Sequence, residues 1–409
     1  MRRMLLPMFA LVVTLLAPAG AFAEPYSSVY VLGDSLSDQG NLFQATLSVT
    51  GSGIPADDHY FQGRFSNGEI YAGFLAERLG VPLTASLLGG TNFAFGGTRA
   101  NYNIVEDPPT PGGFPPGLFP WTLNLQRQAF SDQTISDPNA LYIVFSGSND
   151  VADLIGQTIV QGFEATKPIS DQAVQAIRSV IQAFIVAGAR DILVPNLPDL
   201  GIVPLVFSRD PLPGQPPGST LVADTATALA LRFNSSLDEM LDEFVSVNII
   251  RFDTFSLFRR ISSNPAAFGL RNSTEPCYTG FVEPAGPTDT VCDDPESFVF
   301  WDAEHPTTTA HAVLAEQILR TITSDLLNDL AEAVAGLGLR HGIERALDAA
   351  LGAAKRAHED AHGSNDVAAV GALRAFSRLV EAQRGKAIAE AEAVRLIERA
   401  RQIMGLLGA

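Results

Sequence analysis

The chain has 409 residues, with 27 Lys and Arg against 45 Asp and Glu and a formal charge of −18. So acidic a chain is a poor partner for nucleic acid or for an anionic membrane surface. Its length suits one large domain plus a smaller one. At the start, Met1-Arg2-Arg3 precede an apolar run from Met4 to Leu16 and the small-residue end Ala21-Phe22-Ala23, the pattern of a secretory signal peptide over 1–23. The run is too short for a membrane span, and no Cys follows it for lipid attachment. The mature chain is therefore expected to begin at Glu24 as a soluble, secreted or periplasmic product.

Short apolar, β-branched runs then alternate with helical patterns up to about residue 330. The expected strands are 28–32, 91–95, 141–146, 191–195 and 248–252. Helical patterns between them include 69–79, 171–187 and 224–245. Alternation of this kind predicts a parallel sheet covered on both faces. Segments 107–120 and 210–218 are dense in Pro and Gly and are expected as surface loops, either padding or the rim of a cleft. Cys277 and Cys292 are the two cysteines. In an exported chain the compartment favours one disulfide between them over two free thiols, and two such ligands do not make a zinc site. Beyond 330 the composition turns to Ala, Glu and Arg. Ile343, Leu347, Leu351 and Ala354 recur at helical spacing, as do Leu373, Phe376 and Val380, then Val394, Ile397 and Met404. Three amphipathic helices in a small bundle are expected there. The resulting division is 1–23, 24–330 and 331–409.

Four blocks carry chemistry: Gly33-Asp34-Ser35-Leu36, then Gly89 to Gly97 (GGTNFAFGG), then Ser146-Gly147-Ser148-Asn149-Asp150, and last Trp301-Asp302-Ala303-Glu304-His305-Pro306. Ser35 follows a strand, where open α/β sheets place their sites. Serine needs a base to take its proton. His305 is the candidate, since imidazole titrates near neutrality, and Asp302, three residues earlier, is the group to orient it. The Ser35 N–H and the Asn149 amide are candidate oxyanion donors. Asn149 has the alternative of capping the helix that starts near Val151, although Asp150 is the better cap candidate.

Together the four blocks resemble the GDSL, or SGNH, family of lipases and esterases over roughly 26–330. The resemblance implies a three-layer α/β/α, flavodoxin-like fold and an acyl-enzyme mechanism on Ser35, with Asp302 and His305 and no cofactor or metal. It also implies a glycine N–H in the oxyanion hole. Aligning by Asn92 points to Gly97, with Gly96 nearly as good a fit. Gly63-Arg64-Phe65-Ser66-Asn67-Gly68, with Ser37, Asp38 and Asn41, resembles the larger plant-like and bacterial branch. Some relatives of that branch end in a membrane β-barrel, but here the end is helical. The run 365–407 resembles a helical module of secreted bacterial proteins called FIMAH, which implies surface or polymer association; a passive, stabilising appendage is the alternative.

Gly363-Ser364-Asn365-Asp366 repeats the third block letter for letter, but it follows a polar stretch and is expected to be an interhelical turn. His59, His311, His341, His358 and His362 have no such context and are expected at the surface. There is no G-x-S-x-G elbow, no P-loop and no dinucleotide fingerprint. The reading is an exported carboxylic-ester hydrolase acting on a small-molecule or lipid ester. Acyl transfer to a lipid or sugar alcohol and a non-catalytic surface-binding role are the alternatives.

Overall fold

A computed structural model of the protein describes residues 26–100, 122–133, 136–360 and 366–408. The expected signal segment, the 107–120 loop and residues 363–365 of the duplicated motif lie outside these. Among the described residues no helix is long and apolar enough to cross a membrane.

Four parallel strands form the central sheet. They are β1 Val29–Gly33, β2 Leu141–Phe145, β3 Asp191–Pro195 and β4 Asn248–Phe252, in spatial order β1-β2-β3-β4. β2 and β3 are buried at every position, as expected of a sheet covered on both faces. Val29, Leu141, Asp191 and Asn248 lie in register, so the strands start along one edge and end along the other.

Segment 91–95 is a correction to the expected fifth strand. It is extended and pairs with the outer edge of β1, where Val31 N–H donates to Thr91 O at 3.2 Å and Phe93 N–H to Val31 O at 2.7 Å, but it forms only an isolated bridge. Its other side pairs with backbone only at Asn92, where Asn92 N–H donates to Thr84 O at 3.0 Å and Ser86 N–H to Asn92 O at 2.7 Å, and the Asn41 amide donates to Asn92 O and Ala94 O at 2.7 and 2.9 Å. The chain thus leaves β1 to one side for 91–95 and to the other for β2. Ser35, just past β1, sits where the strand order reverses, the usual site location in such sheets.

The helices that follow are α1 Asn41–Thr50, α2 Tyr71–Arg78, α3 Leu123–Gln133, α4 Ser148–Gln161, α5 Phe163–Val186, α6 Pro204–Phe207, α7 Leu221–Leu241, α8 Thr254–Ser263 and α9 Thr308–Gly336. They surround the sheet in an α/β/α arrangement, with α4, α5 and α7 packed together and α2 against α9. Of the expected helices, 69–79 begins later, at Tyr71, 171–187 reaches back to Phe163, and 224–245 ends at Leu241. The 210–218 loop has no regular structure. Its first residue, Asp210, accepts the Val222 and Ala223 N–H groups at 2.9 and 3.0 Å and so closes the start of α7. A small parallel pair, β5 Asn272–Pro276 and β6 Phe298–Phe300, lies outside the main sheet.

The three C-terminal helices are α10 His341–Glu359, α11 Asp366–Gln383 and α12 Glu390–Leu406. Their buried faces carry Leu347 and Leu351, Leu373 and Phe376, and Ile397 and Met404, and this apolar surface runs on through α9 into the core of the sheet. The expected boundary at 330 falls inside α9, which continues to Gly336. Two histidines expected at the surface are buried instead, His311 and His358. Both lie on the apolar stripe of their helix. His311 shares a face with Leu314 and Ile318, and His358 comes four residues after Ala354. His59 is half-buried, its ring 4.7 Å from that of Tyr278, while His341 is exposed. His362 lies outside the described residues.

Candidate active site

Ser35 follows β1 on a turn in which Ser37 N–H donates to Asp34 O at 3.0 Å. The Asp34 carboxylate caps the same turn, accepting Leu36 N–H at 3.1 Å, and its second oxygen has no partner. Burial pushes the Asp34 pKa up to about 7. A side chain at Gly33 would meet Phe145 O at 2.3 Å, so the approach of β1 to β2 just before the turn requires glycine.

Asp302 and His305 come from the loop between β6 and α9. Trp301 N–H donates to His305 O at 2.7 Å, and this short closure turns the two side chains toward each other. His305 Nε2 lies 3.0 Å from Ser35 Oγ, and its Nδ1 lies 2.8 Å from Asp302 Oδ2. The other carboxylate oxygen accepts the Glu304 and His305 N–H groups at 2.8 and 2.7 Å. All three side chains are buried, Asp302 completely, with Ser35 the most accessible at 8%. Burial alone would disfavour an imidazolium at His305. Asp302, with Glu304 and Asp34 nearby, outweighs it and pushes the pKa up to about 9. Burial likewise disfavours the Asp302 carboxylate, but His305 and the hydrogen bonds it accepts hold it below the usual carboxylate range.

The Gly63 to Gly68 segment fastens this loop. Ser66 Oγ donates to Pro306 O at 2.9 Å, Asn67 Oδ1 accepts Thr308 N–H at 2.8 Å, and Thr308 Oγ1 donates to Glu69 O at 2.8 Å. A side chain at Gly68 would meet the Thr308 side chain at 2.7 Å. The Phe65 ring lies 5.0 Å from the His305 ring and Phe281 lies 6.0 Å from it.

Of the expected oxyanion donors, Asn149 lines the same pocket as Ser35. Asn149 is in the first turn of α4, and its amide donates to Thr98 O at 3.0 Å. That leaves one amide hydrogen, and Asn149, lying inside α4, does not cap it. Nor does Asp150: the residue before α4 is Gly147, with no side-chain cap, and the Asp150 carboxylate instead accepts Ala100 N–H at 2.8 Å. Asp38 separates the two glycine candidates. Its buried carboxylate accepts the Gly40, Asn41 and Leu42 N–H groups and also Gly96 N–H at 2.8 Å. The Gly96 N–H is thereby committed to Asp38. Arg99 fixes the Gly97 carbonyl at 2.7 Å while forming a two-point ion pair with Asp153. Sequence reasoning gave Asp38 and Arg99 no such parts, because Gly96 and Asp153, which complete them, lie 58 and 54 residues away.

A pocket opens beside Ser35, Asn149 and His305. Its lining is largely apolar, with Ala152 and Ile155 of α4, Val203, Val206 and Phe258, and also includes Asp34, Asp199, Glu304 and Arg209. The arrangement can bring an apolar ester group against a serine, a base and convergent hydrogen-bond donors. Cys277 and Cys292 form the expected disulfide near this loop.

Comparison with known proteins agrees with this chemistry. The family of GDSL-like lipases and acylhydrolases matches residues 29–318. Acetylajmalan esterase 2 of Rauvolfia serpentina is 27% identical over 366 residues, covering 78% of this chain and 97% of the relative. A GDSL esterase/lipase of Arabidopsis thaliana is 26% identical over 339 residues, covering 73% and 88%.

Proposed function

The chain belongs to the GDSL-like lipase/acylhydrolase family and is a carboxylic-ester hydrolase, and from that premise we propose that Ser35 is its nucleophile and that catalysis runs through an acyl-enzyme. The observation that carries this reading is the continuous relay from Ser35 Oγ to His305 Nε2 at 3.0 Å and from His305 Nδ1 to Asp302 at 2.8 Å. Ser35 Oγ attacks the ester carbonyl as His305 takes its proton. His305 then gives that proton to the departing alkoxide, and Asp302 holds the imidazole and stabilises its charged form. The Ser35 and Gly97 N–H groups and the free Asn149 amide hydrogen hold the oxyanion. Water attacks the acyl-serine with His305 again as base, releasing the acid.

The apolar pocket beside Ser35 supports esters with a hydrocarbon group over small polar ones. The 1–23 pattern and the disulfide support export to an oxidising compartment. For residues 331–409 the FIMAH-like reading is surface association. The burial of α12 against α9 supports a stabilising role as well. The test is Ser35→Ala. Turnover of p-nitrophenyl esters is expected to vanish, with the circular dichroism spectrum unchanged; a folded variant that keeps substantial turnover would show that another group is the nucleophile.

A further inference from the structure

We propose that Tyr60 is a positioning residue for the Asp302–His305 pair, and that the disulfide-closed loop keeps it in place; the proposal rests on the catalytic reading above. Tyr60 OH donates to Asp302 Oδ2 at 2.6 Å, on the same oxygen that faces His305 Nδ1. With two N–H groups on the other oxygen, the carboxylate is held from every side. Tyr60 is buried. Its hydroxyl is raised far above the ordinary phenol range, by burial first and then by Asp302, so it stays a neutral donor wherever the enzyme works.

The segment around Tyr60 has no helix or strand to hold it. The loop after β5 does that work. The Tyr60 ring stands edge-on to Tyr278 at 5.9 Å and to Trp301 at 6.5 Å, and those two stack on each other at 5.6 Å. Ala56 N–H donates to Val282 O at 2.9 Å, and Asp58 accepts Ala285 N–H at 2.9 Å. Tyr278 N–H donates to Trp301 O at 2.6 Å, and Cys292 N–H to Cys277 O at 2.8 Å beside the disulfide. The cross-linked loop thus grips Tyr60 at its ring and holds the segment before it at Ala56 and Asp58, while the hydroxyl reaches the carboxylate that orients His305.

The chemical consequence has a definite sign. A donor on Asp302 draws off part of the carboxylate's charge and weakens its hold on an imidazolium. Removing it makes His305 easier to protonate. Glu304, Asp34 and His311 also act on His305, and Asp58 and Tyr278 face Tyr60; all of them remain in the variant, so the difference between the two proteins isolates the hydroxyl.

Tyr60→Phe keeps the ring and removes only the hydroxyl. The acid limb of its kcat/KM profile is expected to move up by about one pH unit, with kcat at pH 7 lower by about tenfold and KM nearly unchanged. For the loop, Cys277→Ser/Cys292→Ser and, separately, Asp58→Ala should move the limb in the same direction when Tyr60 is present. They should add no shift in the Tyr60→Phe background. A Tyr60→Phe limb that stays in place, whether or not activity falls, would overturn the positioning role. Loop variants that shift the limb equally in both backgrounds would overturn the link through Tyr60. Asp58→Ala leaves the disulfide intact and so keeps the link testable if the cysteine variant does not fold. Failure of the serine reading is separate, since it would appear as turnover in Ser35→Ala.

Discussion

His305 must be neutral in the free enzyme to accept the Ser35 proton, so its pKa sets the acid limb of kcat/KM. With Asp302 pushing that pKa up to about 9 from the ordinary 6.5, kcat/KM is expected to climb through neutrality and level off only on the alkaline side. A profile measured from pH 5 to 10 checks this, and a limb at or below 6.5 would count against it. The same shift has the opposite sign for stability. A histidine with a raised folded pKa stabilises the fold fully below 6.5, and that contribution is lost as pH rises toward 9. His311 behaves in the reverse way. It is buried, both ring nitrogens lack partners, and burial lowers its pKa to about 3. Below about pH 6.5 the unfolded chain takes up a proton there that the folded chain refuses, so stability falls on acidification. His311→Leu should therefore gain on the parent in melting temperature as pH drops from 7 to 5; a constant difference across that range would refute the sign. At the oxyanion, Asn149→Ala is expected to lower kcat by about 100- to 1,000-fold with a smaller change in KM, and steady-state kinetics on one ester will show whether kcat or KM moves.

Helix α4 joins two jobs on one stripe. Asn149 in its first turn faces Ser35, and Ala152 and Ile155 continue along the wall of the pocket at helical spacing. Enlarging Ala152 should shorten the chain that fits. Ala152→Phe is expected to lower kcat/KM for p-nitrophenyl octanoate by about tenfold or more relative to the acetate, since each methylene is worth about 1–3 kcal/mol in such a pocket. Equal losses on both esters would place the hydrocarbon group elsewhere. The elements themselves were legible where the signal is local. β1, β2, β3 and β4 are short apolar runs, and the Ser35, Asn149 and His305 blocks each lie within six residues of sequence. The expected strand at 91–95 has the right composition, but beyond one bridge to Ala85 its outer side is taken by the Asn41 side chain, and no residue pattern shows a partner 51 positions away. Tyr60 is hidden in the same way, since its hydroxyl meets a carboxylate 242 residues later. His311 and His358 could have been found. Each falls on the apolar period of its own helix, and that period outweighs the polarity of one side chain.

On the scale of the whole molecule, α9 is the spine that connects the site to the C-terminal helices. Its start follows the His305 loop, capped by Thr307, whose hydroxyl accepts Ala310 N–H at 3.2 Å. Its far end packs against α10 and α12. There Arg399 of α12 bonds Asp191 at the start of β3, at 3.0 and 3.1 Å, and Asp329 of α9 at 3.1 Å. Asp191 marks the opposite edge of the sheet from Ser35, about 16 Å away along strands of five residues. Removing Arg399 would leave a buried carboxylate with like charges beside it and no cation, a change that costs roughly 3 kcal/mol. A cut after Leu337 goes further, since it also uncovers the apolar side of α9 at Leu326, Leu330 and Val334. Both changes act at the far edge, so they should weaken the fold without disturbing the chemistry. Arg399→Met is expected to lower the melting temperature by several degrees, and the truncation by more. Each should keep kcat/KM on a short soluble ester within about threefold, provided it is measured below the onset of melting. If the folded truncation lost more than about tenfold, or 1.4 kcal/mol, α9 would be passing the docking of α10–α12 through to the His305 loop, and the C-terminal helices would be part of the catalytic machinery.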